Sequence, residues 1–225
     1  MSDTDELDFV KCRQAMVMII AGYASFCVEQ IGKDRLGDRV MEAMASVPRH
    51  QFVPVELQEW AYDDMPLPIG CGKTISQPFI VALMTDLLAI EEHDKVLEIG
   101  TGLGYQTAIL AELAEQVFSV EIIEELAREG ERRLRAMGCD NVQLRVGDGS
   151  RGWAEHAPFD KIIVTAAPQQ IPKRLLDQLK VGGRMVLPAG SDDEQKLNVV
   201  EKHNDRKLTT RELIDVRFSP LITSH

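Results

Sequence analysis

No pair of cysteines in this chain stands at metal-ligand or redox spacing. Cys12, Cys27, Cys71 and Cys139 lie far apart and no C-x-x-C occurs. Reduced thiols in a cytoplasmic protein that binds no metal are the expectation. Long apolar runs are also missing. The run from Ala15 to Ala24 falls short of the roughly 20 residues that a membrane-spanning helix needs, so no membrane partner is expected. The chain opens with Asp3, Asp5, Glu6 and Asp8, whereas a secretory signal starts with basic residues. Runs of Lys and Arg are absent too. The 25 basic residues face 36 acidic ones, a formal net charge of −11. Nucleic-acid enzymes draw most of their affinity from phosphate contacts, so nucleic acid is not the expected substrate.

What is present suffices for one sizeable core, with 44% of the 225 residues apolar. Residues 1–8 are acidic and polar and predict a disordered tip. From Phe9 to Val47 apolar residues recur at helical spacing up to Pro48, which predicts two helices broken near residues 32–37. Met16, Met18, Met41 and Met44 read as their core. Residues 54–78 are rich in Gly and Pro with little periodicity, the mark of a functional loop. Residues 83–90 close a further helix. Strands then follow at 95–99, 117–121, 142–146, 161–164 and 184–188. Helices intervene at 105–115, 124–137 and about 172–179. That alternation predicts an α/β fold, a doubly wound and mostly parallel sheet with helices on both faces. Residues 198–202 and 213–218, around a polar turn at 204–207, predict an antiparallel hairpin at the sheet edge.

The strongest local signal is Val96-Leu97-Glu98-Ile99-Gly100-Thr101-Gly102-Leu103-Gly104. An apolar strand ends in an acid and runs into a glycine turn that opens a helix, the place where a doubly wound sheet binds ligands. The dinucleotide fingerprint is G-x-G-x-x-G; here the third glycine falls one place early and position 105 is Tyr105, so NAD is disfavoured. Glu121 ends the second strand, where a carboxylate can accept hydrogen bonds from both ribose hydroxyls. Gly147-Asp148-Gly149 follows the third strand, where Asp148 could receive an adenine amino group. Any one of these acids could be an ordinary solvated strand end. In register they resemble the layout of class I methyltransferases, which implies S-adenosyl-L-methionine as cofactor. Glu98 fits that layout too, since a carboxylate there could meet the cofactor's ammonium group directly or through water.

Several segments go further: Val47-Pro48-Arg49-His50-Gln51-Phe52-Val53-Pro54, Ala61-Tyr62-Asp63-Asp64, Leu67-Pro68-Ile69-Gly70 and Thr74-Ile75-Ser76-Gln77-Pro78. Residues 157–167, 178–184 and Val216-Arg217-Phe218-Ser219-Pro220-Leu221 join them. Together with the glycine turn they resemble the protein-L-isoaspartate O-methyltransferases, of bacterial type, from about Arg35 to Leu221. The departures are Lys73, where many bacterial members carry Gln, and Ser219 in place of Val. The resemblance implies a monomeric cytosolic repair enzyme that methylates the α-carboxylate of L-isoaspartyl residues in damaged proteins and peptides. The ester then collapses to a succinimide. It also implies that Ser76 is the active-site residue and that Thr74 and Ile75 help build the acceptor and cofactor pocket. Cofactor contacts are implied at Gly100, Thr101, Gly102, Gly104, Ile122, Gly147, Gly149 and Thr165, beside Glu98, Glu121 and Asp148. Residues 1–80 would form a helical extension carrying the acceptor loop, and 81–225 the cofactor-binding core.

The chemistry is consistent with that reading. A carboxylate is ionised at neutral pH, with an ordinary pKa of about 4, so methylating it needs no general base. None is evident near the glycine turn. His50, His93, His156 and His203 are scattered and read as surface or capping residues, Trp60, Tyr62 and Trp153 as packing, and Asp63 and Asp64 as solvated loop acids. A methyltransferase for a small molecule or nucleic acid on the same fold would explain the cofactor residues but not residues 74–78. A silent cofactor-binding adaptor is opposed by the intact Glu98, Glu121, Asp148 and Ser76.

Overall fold

The computed structural model describes residues 3–191, 193–204 and 207–224. The chain begins with α1 (Asp3–Phe26), α2 (Val28–Ile31) and α3 (Asp38–Ser46). The disordered tip is corrected over its described part, because α1 is helical from Asp3; Met1 and Ser2 lie outside the described residues. On α1, Met16, Ile20 and Ala24 recur every fourth residue and are buried, the spacing that stacks side chains on one helix face. Met18 is not core: it is 69% exposed on the opposite face.

The Gly- and Pro-rich stretch folds into two 3-10 turns (Arg49–Phe52 and Val55–Trp60) and a small hairpin, β1 (Leu67–Gly70) and β2 (Lys73–Ile75). Helix α4 (Pro78–Leu88) follows, with Pro78 in its first turn, where the missing N–H costs nothing. Then come β3 (Lys95–Ile99), α5 (Tyr105–Ala111), β4 (Gln116–Glu121), α6 (Glu124–Ala136), β5 (Val142–Val146), β6 (Phe159–Val164), α7 (Lys173–Gln178) and β7 (Leu179–Gly190). Strands β8 (Gln195–Asn204) and β9 (Lys207–Val216) complete a seven-stranded sheet of order β5-β4-β3-β6-β7-β8-β9. The first five strands are parallel and the last two antiparallel, as the alternation and the expected edge hairpin require. The turn residues Asp205 and Arg206 lie outside the described residues.

Alternate residues of each central strand feed opposite faces. Val96, Val117, Ile163 and Val186 pack with α1, α3, α4, α5 and α6. Leu97, Phe118, Ile162 and Met185 pack with Leu175 of α7, Leu179 and Phe159. Helices therefore cover both faces, unequally. Residues of the first 80 positions share one continuous apolar cluster with the sheet. Strand β9 is longer than expected because residues 207–212 are exposed; an edge strand without a buried face leaves no apolar alternation to read.

Candidate active site

From β3 the chain winds outward to β4 and β5, then returns to the other side of β3 as β6. The connections leaving β3 and β6 diverge, and ligands bind at the carboxyl ends of strands where the order reverses in this way. A cavity of about 490 Å3 opens there. Its walls include Gly100 and Gly102 of the turn after β3, Glu121 and Ile122 at the end of β4, Gly149, and Thr165 after β6. Thr74 and Ser76 contribute from the hairpin side, and residues 215–222 close the opposite side. Six of the thirteen expected cofactor residues, Thr74 aside, thus meet the expected acceptor residue in one space.

The turn keeps its shape through glycine. Gly100 has φ +99°, a backbone geometry that residues with a Cβ rarely adopt. A Cβ there would also run into Oγ1 of Thr165, which donates to the carbonyls of Ile99 and Gly100 at 3.0 and 2.8 Å. At Gly149 a Cβ would run into the side chain of Ile99. Both positions bring main chain against the cavity. Glu121 fastens the turn from the next strand: its Oε2 accepts from the Gly102 N–H at 2.9 Å and its Oε1 from the Ile123 N–H at 3.0 Å. An ionised carboxylate has about four acceptor positions, so Glu121 can take two further donors from the cavity.

Ile75, Glu98, Thr101, Gly104, Gly147 and Asp148 stand behind this wall. Ile75 and Thr101 border a small adjoining cavity. Gly104 precedes α5 and packs against Leu134. The Gly147 N–H donates to the Glu121 carbonyl at 2.8 Å. Asp148 has its oxygens engaged: Oδ1 accepts from the N–H and Oγ of Ser150, and Oδ2 from the N–H of Ser224 at 3.0 Å. Burial opposes ionisation of Asp148, but the bonds from Ser150 and Ser224 outweigh it and hold the carboxyl below the usual range.

Glu98 is fully buried. Its Oε2 accepts from the Thr107 and Ser119 hydroxyls at 2.5 and 2.6 Å, while Oε1 is buried without a donor. An orphaned acceptor behind the glycine turn fits a ligand that brings an ammonium group, directly or through water. Burial pushes the carboxyl up to about 7, against those two hydrogen bonds, which lower it. A carboxyl raised from 4.5 in this way lends the fold most stability below pH 4.5 and loses that contribution as pH rises through about 7. Glu98→Gln fixes the neutral form. Its Tm relative to the unsubstituted protein should therefore move in the variant's favour between pH 5 and pH 8, in thermal unfolding without cofactor. A difference independent of pH would show that Glu98 is not protonated on folding.

The hairpin side of the cavity is positioned by a buried network. Arg49, with no exposure, donates from Nε to the Ala61 carbonyl at 2.8 Å and lies 4.9 Å over the Tyr105 ring. Burial lowers its pKa to about 10, partly countered by Tyr105 and Asp64. Arg49 thereby holds the turn carrying Asp64. Asp64 is not a solvated acid: its Oδ1 accepts from the Phe79 N–H at 2.8 Å and its Oδ2 from Gln77 Nε2 at 2.7 Å. It caps α4, leaving the Ser76 hydroxyl out of that role. His50 also departs from its expected surface position. It is buried, stacked 4.0 Å from Phe9, with Nδ1 2.7 Å from the Tyr62 hydroxyl. His156 packs 4.3 Å from Phe118.

Comparison with known proteins gives this arrangement its relatives. The family model described as Protein-L-isoaspartate(D-aspartate) O-methyltransferase matches residues 25–225. The chain belongs to the protein-L-isoaspartate O-methyltransferase family. A family relative named Protein-L-isoaspartate O-methyltransferase 1, from a Polaromonas species, is 57% identical over 216 residues, 96% of this chain and 92% of its own. One from Nitrosococcus oceani is 50% identical over 96% of this chain and 99% of its own. A solved protein-L-isoaspartate O-methyltransferase superposes with TM-score 0.80 at 27% identity, covering 92% of this chain and 65% of the longer chain. The fold also matches that of a Plasmodium falciparum protein in complex with S-adenosyl-L-homocysteine, with TM-score 0.74, 23% identity, and 90% and 98% coverage.

Within this family member, the wall at residues 215–222 was not expected as part of the site. Its motif was visible in the sequence, but nothing local reveals that a tail after an edge strand turns back over a cavity. The Ala167 N–H donates to the Ser219 carbonyl and the Leu221 N–H to the Ala167 carbonyl, each at 2.9 Å. Among the described residues the four cysteines are unpaired, no metal-binding cluster occurs, and no helix is long and apolar enough to cross a membrane.

Proposed function

We propose that the protein transfers the methyl group of S-adenosyl-L-methionine to the α-carboxylate of L-isoaspartyl residues in damaged proteins and peptides. The family match along residues 25–225 carries this reading. The cavity supports it, because Ser76 and the glycine turn border the same space. In this reading Glu121 holds the ribose, Glu98 faces the cofactor's ammonium group, and Asp148 stands at the adenine end, where Ser224 would make way for or help enclose the base. The enzyme acts as a cytoplasmic monomer, on polypeptide and not on nucleic acid, in keeping with its acidic excess.

The acceptor carboxylate oxygen would attack the methyl carbon in line as its bond to sulfur breaks, so that the sulfonium leaves as a neutral thioether and a positive and a negative charge both vanish. Among the described residues no histidine lines the cavity, and an ionised carboxylate requires no base. The protein's task is to hold oxygen and methyl carbon about 3–3.5 Å apart, aligned and dry. A neutral hydroxyl suits that task better than a cation, since it orients the carboxylate without stabilising its charge strongly. Ser76 is the proposed donor.

Purified protein should form base-labile methyl esters on isoaspartyl peptides and leave the normal aspartyl peptides almost untouched. Equal labelling of the two, or a product stable to mild alkali, would refute the reading. Ser76→Ala should lower kcat by roughly 10- to 100-fold, the scale of a lost orienting contact. Tm and cofactor affinity should stay near the parent values. A Tm loss with normal turnover would instead make Ser76 a purely structural residue.

A further inference from the structure

The charges around the cavity do not all have partners. Four charged residues line it: Glu121, Asp215, Lys73 and Arg217. Glu121 is turned to the main-chain N–H groups of Gly102 and Ile123. Asp215 is paired with Lys196 at 2.6 Å. Among the described residues Lys73 and Arg217 form no ion pair, although the chain carries a net charge of −11. They stand on different walls, Lys73 in the hairpin beside Thr74 and Ser76, Arg217 in the tail after β9.

Charge complementarity with a substrate gives these cations a use. Deamidation of Asn adds a negative charge, so damage of this kind makes a substrate of the proposed reaction more negative as it approaches an acidic protein. Repulsion between like charges slows encounter and weakens binding, and local charge complementarity reverses both. The reacting carboxylate is a poor partner for the cations. An ammonium or guanidinium on it would stabilise the charged ground state more than the charge-neutralised transition state, and so slow transfer. The two cations are better matched to a carboxylate that does not react. A peptide passing between the walls advances about 3.3–3.6 Å per residue, which brings side chains one or two positions from the isoaspartate within reach of long basic side chains.

We propose that Lys73 and Arg217 are substrate-capture residues that bind an acidic side chain next to the isoaspartate, biasing the enzyme toward damage in acidic sequence. The inference rests on the isoaspartyl reading of the site. Capture precedes chemistry, so the preference belongs in KM and leaves kcat alone.

The test uses N-acetylated, C-amidated isoaspartyl peptides that differ only in carrying Glu, Gln or Lys at the neighbouring positions. Blocked ends leave the flanking side chain as the variable charge. The unsubstituted enzyme should favour Glu over Gln in kcat/KM by roughly 5- to 10-fold, with Lys below Gln, the size expected of one or two partly screened charge pairs. The ranking should lie in KM and shrink as salt is raised. K73Q and R217Q should each reduce the Glu-to-Gln ratio and together bring it near one, whatever they do to turnover on the Gln peptide. Equal kcat/KM on the three peptides, a ranking carried by kcat, or a ratio intact in the double variant would each overturn the inference alone. Failure to methylate any of the peptides would overturn the isoaspartyl reading and this inference with it.

Discussion

Glu121→Ala should bind S-adenosyl-L-methionine at least about 100-fold more weakly than the unsubstituted protein. Each charge-assisted hydrogen bond is worth about 1.5–3 kcal/mol, and two ribose hydroxyls at the lower figure give roughly two powers of ten. The structure adds a second consequence. Both Glu121 oxygens already receive main-chain donors, from Gly102 at 2.9 Å and Ile123 at 3.0 Å, so the alanine also releases the turn that forms the cavity wall. Calorimetry and thermal unfolding separate the two effects. Glu121→Gln retains one acceptor oxygen and should fall between the parent and the alanine variant in affinity. A lower Tm with unchanged affinity in Glu121→Ala would make Glu121 a turn fastener and remove the ribose assignment.

Gly100→Ala should have an effect of similar size by another route. An added Cβ has to accept φ +99°, for which left-handed strain of roughly 1–2 kcal/mol is the least to expect. It also meets Thr165 Oγ1, the hydroxyl that ties β6 to the turn. Displacing the turn by 1 Å misaligns the methyl carbon, and such misplacement costs on the order of 100-fold in rate. Tm should fall by several degrees, at about 2–4 °C per kcal/mol for a chain of this size. Adding Thr165→Ala removes the clash but not the φ strain, so the pair should recover part of the loss in turnover. Normal turnover in Gly100→Ala would mean that the turn is free to rearrange, and the cavity wall would need a different account.

The sheet was legible because its strands are short apolar runs bounded by turns, and because strand and helix alternate from Lys95 onward. The cofactor end was legible for a related reason: in a doubly wound sheet the ligand residues sit at strand ends, where sequence position and spatial position coincide. Gly100, Gly102, Glu121, Gly149 and Thr165 all follow that rule. The rest depends on contacts between distant segments. Asp64 looks like any loop acid until Phe79 and Gln77 are found against it. His50 looks like a surface residue until Phe9 covers it. Arg49 is charged, and nothing in its neighbours along the chain announces complete burial. Strand β9 escaped in part because its exposed first half has no apolar period. Ser224 on Asp148 pairs the last described residue with a strand-end acid, a contact that no local pattern encodes.

One wall of the cavity, residues 66–80, is rooted in the apolar core through Leu67, Ile69, Ile75 and Phe79, whereas the other, residues 215–222, is held by a few tail hydrogen bonds to Ala167 and Gln195. The sheet between them has a dense apolar core on both faces. Segments with few buried contacts open at much lower free energy than the core of the same domain. The reaction space exists only once two stretches far apart in the chain have met across it, and the tail is the side expected to open first. Warming should therefore cost competence while the strands are still paired, and turnover that falls only with the unfolding of the sheet would show the tail to be held as firmly as the core. A bound ligand touching both walls would act as a clasp, making the working enzyme more heat-resistant than the idle one.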